Sequence, residues 1–187
     1  MNQVTYLNNQ FIVAMPALAD PNFFHTVTYL CQHNEEGALG IIINRPAEMK
    51  FGEICEQMHI SYNSDTLDEI PVFIGGPVQS GRGFVLHTTG REWEVTMAVS
   101  ETISLTTSRD IIEAIATDQG PEQYLVALGY AGWGVGQLEQ EMLDNTWLHT
   151  PSGNHIIFDT PIDKRWQAAG GLLGIDINQL TTPAGHG

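Results

Sequence analysis

TVTYLCQHNEEGALGIIIN, residues 26–44, holds two β-rich runs around one polar turn. Thr26–His33 is dense in β-branched and aromatic side chains and alternates in part. Asn34–Gly37 (NEEG) supplies turn residues ending in glycine, and Ala38–Asn44 (ALGIIIN) is the returning run. Two such runs separated by a short polar turn predict an antiparallel hairpin. The continuous apolar IIIN, like YLVAL further along, predicts strands covered on both faces. A hairpin so early argues against a doubly wound βαβ order, in which strands alternate with crossover helices.

The flanking sequence extends the pattern. Phe11–Met15 (FIVAM) reads as a strand stopped by Pro16, and Val72–Gly75, Gly83–Thr88, Val95–Val99, Tyr124–Tyr130 and His155–Asp159 read as further strands. Four segments have helical spacing. Phe51–Met58 puts Phe51, Ile54, Cys55 and Met58 on one face. Ser108–Asp118 buries Ile111, Ile112, Ile115 and Ala116 behind Thr107 or Ser108 as cap. Gln137–Trp147 aligns Leu138, Met142, Leu143 and Trp147, and Pro161–Leu173 starts after Thr160 and ends at Gly174. Tyr62–Glu69 (YNSDTLDE) reads as an exposed connection. The expected class is α+β: a curved, largely antiparallel or mixed sheet with about four helices, formed as a single domain over residues 1–187.

Composition limits the functions. Of 187 residues, 42% are hydrophobic, which suits a folded core, and the apolar runs are far shorter than the ~20 residues of a membrane span. The N-terminus lacks the basic and apolar regions of a secretory signal, so a soluble cytoplasmic protein is expected. Twenty-two acidic residues face seven basic ones, giving a formal charge of −15. Phosphate backbones are gripped by clustered Lys and Arg. Here Arg45, Lys50, Arg82, Arg91, Arg109, Lys164 and Arg165 are scattered along the chain. Direct nucleic-acid and membrane-surface binding are therefore disfavoured. Cys31 and Cys55 make no disulfide framework and are expected as free thiols.

Several motifs carry possible chemistry, each with a plainer reading beside it. Gly129–Gln137 (GYAGWGVGQ) reads as a strand passing through a glycine-rich loop into a helix. Its spacing is neither GxGxxG nor a P-loop, and Glu139 and Glu141 at the helix start would repel a phosphate. Glycines serving tight turns, with Trp133 packed on backbone, are the plainer reading. Gly75–Phe84 (GGPVQSGRGF) forces a bend and sets Arg82 between two glycines. There it is placed either to hold a carboxylate or phosphate or to pair with one of the many acids on an ordinary hairpin. Cys31 and His33, two residues apart on a strand, share a face. With His87 they form a weak candidate for thiolate or metal chemistry, and Glu139 is the carboxylate retained as a candidate acid or base. Cys55, on an apolar helix face, reads as inert core. No motif calls for a metal or a cofactor.

Taken together, AMPALADPNFFHTVTYLCQHNEEGALGIIINRP from Ala14, GGPVQSGRGFVLH from Gly75 and GYAGWGVGQLEQEMLDNTWL from Gly129 resemble the bacterial AlgH/YqgE family. So do RW at Arg165, LGIDI at Leu173 and the closing AGHG at Ala184. The resemblance spans nearly the whole chain. It implies an α+β fold with a bifurcated sheet rolled into a pseudo-barrel, and a transcriptional-regulator label without assigned catalytic residues. That label conflicts with the charge, because the chain shows no helix-turn-helix and no basic face. A regulatory role is expected to run through a small ligand or a protein partner. The residues expected to gather for that purpose are Asn44, Gly75, Gly76, Arg82, His87, Tyr130, Trp133 and Gln137. An enzyme of unassigned reaction, using a Cys/His or Glu site, is the alternative.

Overall fold

The computed structural model describes residues 5–63 and 67–180. The closing AGHG and part of the 62–69 connection lie outside them. The strands are β1 (Gln10–Ala14), β2 (Val27–Asn34), β3 (Gly37–Ile42), β4 (Pro46–Lys50), β5 (Pro71–Ile74), β6 (Val78–Thr88), β7 (Thr96–Ala98), β8 (Ile103–Thr106), β9 (Tyr124–Trp133) and β10 (Trp147–Pro151). The helices are α1 (Phe51–Gln57), α2 (Arg109–Ala116), α3 (Gln137–Leu143), α4 (Asn154–Phe158) and α5 (Arg165–Gly171). The class is α+β. The ladders are antiparallel except for β5 with β9, the single parallel pair among the described residues.

The chain divides into two compact units, and β9 passes from one to the other after Tyr130. The first unit comprises residues 1–44 and 131–187. Its sheet runs β10-β1-β2-β3 and ends on the last residues of β9. The β2–β3 hairpin forms as the sequence predicts, with Asn34 opposite Gly37. A bulge between Leu30 and Gln32 leaves Cys31 without a cross-strand partner residue. Ile12, Leu30, Trp133, Leu138 and Trp147 form part of one buried cluster. The RW pair fastens α5 to this sheet. Buried Arg165 donates from Nη1 to the Ile43 carbonyl at 2.6 Å and from Nε to the Thr160 carbonyl at 2.8 Å. Trp166 donates its indole N–H to the Ala14 carbonyl at 2.9 Å.

The second unit is residues 45–130. Here β9 lies between β6 and β5, and β6 continues to β8 and β7. Helices α1 and α2 bring Phe51, Ile54, Cys55, Ile111, Ile112 and Ile115 onto Val72, Val85 and Val126. Burial, with Glu56 adding a smaller effect, pushes the Cys55 thiol up to about 11, which agrees with an inert core position.

Five local expectations need correction. The GYAGW run is not a loop: β9 continues to Trp133, and the turn is confined to residues 134–136. The helix beyond it stops at Leu143, and Trp147 opens β10 instead. His155–Asp159 is mostly helix α4, because Ile156 and Ile157 are buried from consecutive positions on a helical turn. The 161–173 segment divides into a 3₁₀ turn at Ile162–Lys164 followed by α5. Finally, β4, β8 and β10 had no counterpart among the expected strands. The Gly174 stop holds, with φ at +75°.

The Arg165 bonds generate a prediction. Arg165→Met keeps the aliphatic stem but leaves two carbonyls without their charged donor. Urea unfolding should show a loss of about 3 kcal/mol, against about 1 kcal/mol for Trp166→Phe, which removes one neutral bond.

Candidate functional site

The second unit contains a cleft of about 490 Å³. Strand β6 forms one side with Gly83 and Val85, and β9 forms the floor with Val126 and Leu128. Helix α1 and the residues flanking it add Met49, Ile54 and Met58, and α2 adds Ile112. Gln57, Ser80, Gly81, Arg82, Thr106, Thr107, Ser108 and Arg109 complete the lining. No aspartate or glutamate is among the lining residues. The volume falls within the roughly 300–1,000 Å³ of small-molecule sites, and the mixture of apolar walls with a few polar groups is usual for them.

Local backbone explains where Arg82 sits. The β6–β9 register slips between Val78 and Gly83, so residues 79–82 leave the ladder. Arg82 stands exposed at the rim, its guanidinium 5.6 Å from the centre of the Phe84 ring. Its other contacts are neutral: the Gln79 side-chain oxygen at 3.3 Å and the Thr107 hydroxyl at 3.5 Å. Among the described residues no carboxylate pairs with it. Arg109 is engaged, with Glu113 at 2.8 Å and the Met58 carbonyl at 2.7 Å.

His87 is not among the lining residues; it is fully buried on β6, two positions beyond Val85. Its Nδ1 faces the Thr88 carbonyl at 2.9 Å, an acceptor only, which places the ring proton there. Nε2 then accepts from the Thr106 hydroxyl at 2.7 Å, and Thr106 in turn receives the Thr96 hydroxyl at 2.8 Å. Burial drives the His87 pKa below the usual 6.5, with the Thr88 bond opposing it more weakly. The imidazole is therefore neutral near pH 7, and both its nitrogens are used.

The other expected site residues take separate roles. Gly75 and Gly76 pass against Gly129: a Cβ at Gly75 would run into the Gly129 carbonyl oxygen, and one at Gly129 into that of Gly76. Tyr130 packs edge-on against Phe84, 5.5 Å between ring centres. Three of the expected residues belong to the first unit. Asn44 accepts from the Val27 N–H and donates to the His25 carbonyl, closing a turn. Trp133 and Gln137 meet at a smaller cavity of about 210 Å³. Both donate to Glu141, which also accepts from the Trp147 indole.

Glu139 points elsewhere and pairs with His33 Nε2, while His33 Nδ1 accepts the Leu7 N–H at 2.9 Å. That arrangement fixes the tautomer and leaves neither nitrogen for a substrate. Cys31 is buried, its Sγ 3.7 Å from the Tyr29 carbonyl oxygen. Burial pushes its thiol pKa far up, the opposite of what a thiolate nucleophile needs. Among the described residues no group of three or more His, Cys, Asp or Glu side chains is arranged to hold a metal ion.

Of the residues expected to gather, Arg82 is the one that lines this cleft with Thr106, Thr107 and Arg109, none of which was expected, while His87 reaches the lining through its bond to Thr106. The missing signal was strand β8, four residues long, which carries Thr106 to the cleft.

A mixed, mainly antiparallel sheet with short helices and this cleft defines an α+β protein with a candidate small-molecule site. The model of the AlgH-like family matches residues 11–178, and the chain belongs to that family. UPF0301 proteins of Methylococcus capsulatus and Thioalkalivibrio sulfidiphilus are each 54% identical to it over 186 residues, covering 100% of this chain and 99% and 100% of theirs. The solution structure of the AlgH protein from Pseudomonas aeruginosa aligns with a TM-score of 0.82 at 45% identity, covering 100% of both chains. A crystal structure from Corynebacterium diphtheriae, 16% identical, shares the fold with a TM-score of 0.71, over 98% of this chain and 92% of that one. No helix among the described residues is long and apolar enough to cross a membrane.

The buried imidazole predicts a pH dependence. With the folded pKa lowered, the unfolded chain takes up more protons below about pH 6.5, so stability falls as the pH drops through that value. The slope from His87 is at most about 1.4 kcal/mol per pH unit. His25, also lowered by burial, adds with the same sign. Urea melts between pH 7.5 and 5 should therefore give a shallower decline for His87→Asn than for the natural chain.

Proposed function

We propose that this protein is a regulatory binding module whose second unit takes up a small molecule with an apolar body. The observation that carries the reading is the acid-free, mainly apolar cleft in a chain of charge −15. Two methionines in the lining, Met49 and Met58, suit a site that adapts to its occupant. Any effect on transcription would then run through the occupant or a protein partner, within the cytoplasm. The cations support this over direct DNA contact. Arg91 bonds the Gln119 carbonyl and lies over Trp93, and Arg165 is buried, so neither extends a groove-sized stripe from Arg82 and Arg109. An enzymatic reading has less support, since His33 and His87 are fully bonded and Cys31 is enclosed.

The test uses a neutral environment-sensitive dye, N-phenyl-1-naphthylamine. Gly83 precedes Val85 by two on β6, so a side chain there projects on the cleft side. A Cβ at Gly83 meets nothing within 4 Å, so added bulk enters the space without local strain. Saturable dye binding should weaken at least ten-fold in Gly83→Leu, with the unfolding midpoint unchanged. Undiminished binding in a folded Gly83→Leu would place the dye elsewhere and remove the proposal.

A further inference from the structure

We infer that the natural occupant of this cleft is a single-headed anionic amphiphile, its head held at Arg82 and its chain lying along the apolar floor. The inference rests on the binding reading above and adds the chemical class. Three observations point the same way.

The first is an asymmetry of charge. Acids outnumber bases 22 to 7 along the chain, yet the cleft is lined by two arginines and no acid. Arg82 has neutral partners only among the described contacts, whereas Arg109 is held by Glu113 and a carbonyl. Arg82 is thus the group with donors to spare, and a planar guanidinium matches a carboxylate or phosphate through two parallel bonds.

The second is the order of surfaces. Arg82 is an exposed member of the lining, beside Thr107, whose hydroxyl it reaches at 3.5 Å. Val85, Ile112 and Val126 are buried behind it. A charged head kept near water and a chain removed from it satisfy both surfaces. A polyanion would place further charges against an acidic exterior, where like charges repel, so one head is specified rather than several.

The third is the absence of an acceptor for a cationic head. With no aspartate or glutamate in the lining, an ammonium there would face two guanidinium groups.

Decanoate, decyl phosphate, decanol and decylammonium, all below their aggregation thresholds, separate these claims by competition against the bound dye. Decanoate or decyl phosphate should bind at least five-fold more tightly than decanol, and decylammonium should bind more weakly than decanol. Which of the two anions binds better distinguishes a carboxylate from a phosphate head. Arg82→Gln should abolish the preference for an anion over decanol. Arg82→Lys should restore part of it. If decanol competes and the anions do no better, or if Arg82→Gln keeps the preference, the inference fails while the binding reading survives. If none of the four competes, both fail.

Discussion

Close passage of two glycine-bearing segments in the second unit sets what the rest of that unit can do. Gly129 has φ at +76°, and a Cβ there would collide with the Gly76 carbonyl oxygen. A Cβ at Gly75 would meet the Gly129 carbonyl oxygen in turn. Only glycine allows the β5–β6 connection to lie this near β9. The Gly75 N–H can then bond the Leu128 carbonyl at 2.8 Å, and Val78 can pair with Tyr130. Between that pair and Gly83 the ladder slips, and the slip carries Arg82 out to the rim. The glycines read as a phosphate-binding signal or a plain turn thus act one step earlier, by fixing the register from which the arginine projects.

The fold was legible where local signals agreed with tertiary demand. The β2–β3 hairpin has polar turn residues between apolar runs, and α2 repeats its apolar positions at helical spacing, so neither needs knowledge of the rest of the chain. Trp147 illustrates the opposite case. It continues the stripe of Leu138 and Met142, yet Asn145 takes a left-handed φ of +59°, ends the helix and turns the indole into β10. Leu143 is left 77% exposed, so the apparent stripe was never a single core face. HIIFD failed for another reason. A short apolar run carries no period, and flanking contacts chose helix. At the cleft, Arg82 was visible through its glycine neighbours, while Thr106 and Ile112 reach it from elements 24 and 30 residues later in the chain. Proximity of that kind has no local signature.

Net charge told the truth about the whole and little about the site. A charge of −15 argues against gripping a polyphosphate, because that contact depends on many cations acting together. It does not argue against one anionic group at one arginine, where the nearest partners decide the energy and distant charges are damped within about 10 Å by salt. The relevant quantity is therefore the local inventory, and the residues lining the cleft are two arginines, four hydroxyl residues, one glutamine, two glycines and apolar side chains, with no acid.

The same inventory weighs against chemistry in the cleft. Acyl or phosphoryl transfer by a serine or threonine needs a base poised beside the hydroxyl. Ser108 instead donates to Asp110 at 2.6 Å and accepts the Val95 N–H at 3.0 Å, locking the entrance to α2. Thr106 is within reach of an imidazole, but His87 spends its proton on the Thr88 carbonyl, and the Thr106 oxygen already takes the Thr96 hydroxyl. Drawing a proton from Thr106 would create a charged imidazolium in a site that burial has made hostile to charge. Among the described residues no carboxylate bonds His87 to offset that cost. The Thr96–Thr106–His87 chain is therefore better suited to holding β6, β7 and β8 in register beside the cleft than to activating a nucleophile, and a fixed wall is what the proposed binding role requires.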